Sequence, residues 1–119
     1  MALDEANRRL FIGCRSPAEL LVLDTETGKT MATVDIVGDT DDLFYDATNK
    51  RIYVSGGEGG VTVIRQRNPD TYEVAGQVAT APGARTCFFV PGTQTLYIAV
   101  PHRGKQDPEI RVFKVLPTK

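Results

Sequence analysis

Leu10-Phe11-Ile12-Gly13 recurs as Ile52-Tyr53-Val54-Ser55 and again as Leu96-Tyr97-Ile98-Ala99. Each copy reads aliphatic, aromatic, aliphatic, small, and the step is 42 residues from Leu10 to Ile52 and 44 from Ile52 to Leu96. A polar turn precedes every copy: Asp4 to Arg9, Asp46 to Arg51, and Pro91 to Thr95. Asp and Asn bond back to their own backbone, and Gly and Pro set turn dihedrals, so these segments read as hairpin connections. A second apolar run follows in each copy, at Leu20 to Leu23, Val61 to Ile64 and Ile110 to Phe113. Thr62 and Arg111 break the last two into the period-two alternation of strands.

Further runs complete the pattern. Met31 to Val37 and Val74 to Ala79 end the first two repeats, while Leu43 to Tyr45 and Cys87 to Val90 open the second and third. No window carries apolar residues at helical spacing over helical length. The class is therefore all-β. Four strands in a repeat of this length are the signature of β-propeller blades, whereas sandwich strands do not repeat in sequence. The whole chain, 1–119, reads as one partial propeller domain of three four-stranded antiparallel blades, at 1–38, 39–83 and 84–119. The first and last blades are incomplete, because the innermost strand of the first keeps only Ala2-Leu3-Asp4 and the last stops after its third strand. That permutation is expected of the C-terminal blades of a longer propeller. Tyr53 and Tyr97, on mid-blade strands, are expected to be buried between blades.

Composition narrows the function classes. With 14 Lys+Arg against 15 Asp+Glu, the net charge of -1 creates no positive field to attract nucleic acid or anionic lipid. No apolar run approaches the roughly 18 residues of a membrane span, and Met1 to Leu10 lacks the apolar centre of a signal peptide. On that basis the chain is expected to stay where it is made. Cys14 and Cys87 lie in different repeats with neither metal-ligand spacing nor a CxxC pair, so both read as buried free thiols.

Tyr53-Val54-Ser55-Gly56 and Tyr97-Ile98-Ala99-Val100 stand where bacterial propellers of the YVTN-repeat family, also called lactonase-like or surface-antigen-like, carry their signature. Leu21-Val22-Leu23-Asp24-Thr25 resembles that family's third strand, and Asp24 to Lys29 is similar to the hairpin after it. The Thr-Asn half of the signature is missing in all copies, and Arg65 replaces the strand's Asp in the second repeat. The resemblance implies a propeller fold and an exported or periplasmic parent protein. It implies no single role, because the family's repeat residues are structural and its members bind, coat cells or catalyse.

In an antiparallel meander alternate loops share one end of the blade. One end therefore collects 15–19, 39–42, 56–60, 82–85 and 101–108. Asp39-Thr40-Asp41-Asp42 is the densest acidic cluster, and hard cations such as calcium or magnesium take several carboxylate oxygens. The spacing is not that of a calcium loop, and a solvated turn is the commoner reading. His102, the single histidine, can act as acid, base or ligand, although most such residues simply face solvent. Ser16 and Ser55 lack a Gly-x-Ser-x-Gly setting, so a serine nucleophile has no support. Gly28-Lys29-Thr30 fails as a phosphate loop, since Leu23 stands where the first glycine is needed. Gly56 to Gly60 reads as a tight turn. The periodic aromatics Phe11, Phe44, Tyr53, Phe88, Phe89 and Tyr97 read as packing rather than as a base-stacking platform.

Two functions follow as expectations. The first is a non-enzymatic scaffold binding a small molecule or protein through the loop-bearing end, with Asp39, Asp41, Asp42, Glu58, Arg85 and His102 as candidate ligand-binding residues. The alternative is a metal-assisted, lactonase-like hydrolase with the same residues around the channel mouth. Open blade faces at both ends further imply head-to-tail self-association, with a dimer of six blades inside the usual range of about four to eight.

Overall fold

The computed structural model describes residues 1–117, so 118 and 119, assigned above to the third blade, lie outside the described residues. Eleven strands form three antiparallel meanders. The first sheet is β1 (Ala2–Asp4), β2 (Arg9–Arg15), β3 (Ala18–Asp24) and β4 (Thr30–Asp35). The second is β5 (Thr40–Asp46), β6 (Arg51–Gly56), β7 (Gly60–Asn68) and β8 (Thr71–Ala79). The third is β9 (Thr86–Val90), β10 (Thr95–Val100) and β11 (Glu109–Lys114). The described residues contain no helix, and the all-β expectation holds strand for strand.

The turn chemistry explains the hairpins. Arg8, Lys50 and Gln94 take φ of 57°, 56° and 51° at equivalent places in the three first-to-second-strand connections. In two of them an aspartate closes the turn: Asp4 accepts from the backbone and side-chain amides of Asn7, and Asp46 does the same with Asn49. Both are buried carboxylates with partners, as burial requires.

Register makes the three sheets equivalent. Phe11 pairs with Val22, Tyr53 with Val63 and Tyr97 with Val112, and each of these rows lies on the face turned toward the following sheet, here the leading face. Leu10, Ile52 and Leu96 lie on the opposite, trailing face. The leading face of the first sheet and the trailing face of the second close one core, around Phe11, Leu20, Val22, Ile52, Val54 and Ile64. The leading face of the second and the trailing face of the third close another, around Tyr53, Val61, Phe89, Leu96 and Ile98. The middle sheet is thus covered on both sides.

Two expectations are corrected by this arrangement. Tyr53 is 3% exposed, but Tyr97 is 37% exposed, since among the described residues no sheet lies against the leading face of the third. Phe88, on the same face, is also exposed, although its ring meets Phe44 of the second sheet edge-on. Cys87 is buried and Cys14, on the open trailing face of the first sheet, is only half-buried; both thiols are free.

Replacing Tyr53 by Ala removes a buried ring and its hydroxyl bond to Asp46. The expected cost is about 3 kcal/mol or more, with Tyr97→Ala costing markedly less in dilute solution. Urea unfolding followed by circular dichroism checks this; equal costs would contradict the two environments.

Candidate functional site

The loop-bearing end assembles as the meander dictates. Arg15 ends β2, residues 36–39 lead from the first sheet to the second, Gly57 to Gly59 turn between β6 and β7, and 80–85 lead to the third. Backbone bonds tie these loops together: Gly57 N–H donates to Asp39 O at 2.8 Å, Gly83 N–H to Gly57 O at 2.7 Å, and Thr80 N–H to Gly59 O at 2.9 Å. The 101–108 loop joins them through Gln106, whose side-chain amide donates to Pro82 O and Pro101 O.

Asp39 is the hub. Its Oδ2 accepts from Arg85 Nε at 3.0 Å and Nη2 at 2.6 Å, while its Oδ1 faces Arg15 Nη1 at 3.6 Å. One carboxylate thereby spans a strand end of the first sheet, the link into the second and the link into the third. Gly57 is required beside it, since a Cβ there would run into Asp39 Oδ2. The Arg85 hydrogen bond, aided by the charges of Arg85 and Arg15, holds the Asp39 carboxyl below the usual carboxylate range.

The other candidates are placed as follows. Asp41 is exposed and meets Arg15 Nη2 at 3.3 Å. Asp42 turns the other way, its Oδ2 accepting the Cys87 backbone N–H at 3.1 Å. Ser55, which sequence reasoning weighed only as a nucleophile, donates to Arg85 O at 2.6 Å, and Thr40 Oγ1 donates to Ser55 O. Burial pushes the neighbouring Cys87 thiol up to about 11, away from thiolate chemistry. Glu58 and His102 are exposed, and His102 makes no hydrogen bond or ion pair within the described residues. The structure therefore brings Asp39, Asp41, Asp42 and Arg85 into one network and leaves Glu58 and His102 outside it.

Asp39 and Asp41 share Arg15 while Asp42 turns to the Cys87 amide, and among the described residues no three His, Cys, Asp or Glu side chains group as cation ligands. Arg15, Ser55 and Gln106 are the members that sequence reasoning missed, because their partners lie in other repeats. A separate apolar groove of about 250 Å³ lies between the second and third sheets, lined by Tyr53, Val63, Val78, Leu96 and Phe113 with Arg51 and Lys114 at its rim. Compared with known proteins, the chain matches no family model, and no curated protein matches it.

A depressed carboxyl contributes stability above its unfolded-state pKa that is lost as pH falls through the lowered folded value. Carbon-detected NMR titration should place the Asp39 midpoint below the ordinary aspartate value. Arg85→Met should move the Asp39 midpoint upward and shrink the acid-linked loss of stability; an unmoved midpoint would remove Arg85 as the cause.

Proposed function

We propose that the chain is a run of β-propeller blades of the YVTN-repeat type, working as a non-enzymatic scaffold that binds a small molecule or protein on its loop-bearing end. The observation that carries this reading is the Arg15–Asp39–Arg85 bridge across the three sheets. It turns loops from separate sheets into one rigid rim, and rigid rims bind without the entropic cost of ordering. The charges on that rim are spent on architecture. Asp39 and Asp42 hold neighbouring sheets together, so neither stands free as a general base, and the buried Cys87 thiol is kept protonated.

What the rim leaves for a partner is mixed in sign. Glu58, His102 and Lys105 are exposed on the 57–59 and 101–108 loops. Such a surface suits a polar or zwitterionic partner read by hydrogen bonds.

The test is amide NMR of the ¹⁵N-labelled chain against a library of small polar compounds, against Ca²⁺ and Mg²⁺, and against simple lactones with turnover followed in parallel. The expected result is saturable shifts clustered at 56–60, 82–85 and 101–108 without turnover. Lactone hydrolysis that requires a divalent cation and is lost in Asp41→Asn would replace this reading with the hydrolase. Shifts confined to the opposite hairpins, 5–8, 47–50 and 92–94, would put the binding surface on the wrong end.

A further inference from the structure

The leading face of the third sheet and the trailing face of the first are both apolar and both open. Phe88, Ile110 and Val112 are exposed on the former, with Tyr97 among them. Leu3 is exposed on the latter, beside half-buried Leu10, Ile12 and Leu21. Contiguous apolar faces of this kind mark association surfaces.

Register says what fits them. Position by position, Tyr97, Val112 and Phe88 replace Tyr53, Val63 and Phe44, which are packed against the third sheet inside the chain. Likewise Leu10, Ile12 and Leu23 replace Ile52, Val54 and Ile64, which are packed against the first sheet. Each open face is therefore a third version of one half of a contact that the chain already makes twice, and the complementary half is present on the other end of the same molecule. Polar contacts mark the internal junction as well. Arg9, at the end of the first sheet's leading face, reaches Pro69 O and Asp70 in the β7–β8 hairpin of the next sheet. Thr95 takes Arg9's place in the third sheet and its register partner Lys114 donates to Thr93 O, so this end of the open face carries no unsatisfied charge against stacking.

We propose that the occupant is a second copy of this chain, the third sheet of one molecule stacking on the first sheet of the other. The inference rests on the blade reading, but it is separable from ligand binding because neither open face includes the loop rim. Head-to-tail contacts form a ring only where the rotation between copies closes; two copies stack six sheets, within the range of about four to eight that closed propellers use.

Light scattering at micromolar concentration should give twice the 13.0 kDa chain mass. Val112→Lys on one face, or Leu3→Glu on the other, should each return the single-chain mass, and mixing the two variants should restore a dimer through the one intact pair of faces. Leu21→Glu serves as a second first-sheet variant should Leu3→Glu disturb the short β1. Cys14, on the first sheet's open face, should be alkylated by a maleimide more slowly in the wild type than in Val112→Lys, while buried Cys87 stays unlabelled in any folded chain. A folded wild-type monomer across the micromolar range would overturn the proposal and leave the faces to the sheets of a different chain. A dimer that survives Leu3→Glu and Leu21→Glu but not Val112→Lys would also overturn it, since that pattern belongs to two third sheets meeting face to face.

Discussion

A β-sheet with aliphatic and aromatic side chains on both faces has no side to give to water. That is the constraint on which this molecule depends. The middle sheet carries Tyr53, Val61 and Val63 on one face and Ile52, Val54 and Ile64 on the other. Neither row folds stably unless something apolar lies against it, because each fully buried side chain of this size contributes roughly 1.5–3 kcal/mol. The first and third sheets supply that cover. Their own outer faces inherit the same demand, so stacking propagates the constraint outward.

Apolar faces fix that sheets stack but not where one sheet sits on another. Polar contacts at the two ends supply the register. At the hairpin end Asp4 of the first sheet accepts from Gln66 of the second, and Asn49 beside Asp46 donates to Gln94 of the third. Burial alone would raise the Asp4 carboxyl, yet the bonds from Asn7 and Gln66 win and leave it lowered. At the loop end the Asp39 bridge and the Asp42 bond to the Cys87 amide do the same work. Each is a directional bond from one sheet to the next, costly to leave unmade once buried.

Much of this arrangement was legible in the residues. Period-two alternation and a step near 40 residues are local signals, and they located every strand and sorted the loops between the two ends. The site was less legible, because its bonds are not local. Arg85 and Asp39 are 46 positions apart, and nothing near either names the other. The acidic run 39–42 looks in sequence like three convergent carboxylates. In the fold it is a strand start, where successive side chains point to opposite faces, so Asp42 turns away from Asp39 and Asp41. Tyr97 failed for a different reason: its sequence context matches that of Tyr53, and only the presence or absence of a covering sheet separates them.

The polar links also distinguish the chain's internal junctions from its open end. Asp4 and Asp46 have Val90 as their counterpart in the third sheet, and Arg9 and Arg51 have Thr95. In the first two sheets these positions carry partnered polar groups: the aspartates are buried, Arg9 reaches Pro69 O, and half-buried Arg51 reaches Leu116 O. Asn7 and Asn49 supply the side-chain amides that hold Asp4 and Asp46, whereas Thr93 stands at that place in the third sheet, so a carboxylate at position 90 would be either solvated or, once covered, short of that donor at a cost of several kcal/mol. Valine avoids both outcomes. The leading face of the third sheet therefore carries apolar area without the directional bonds that lock the first two junctions.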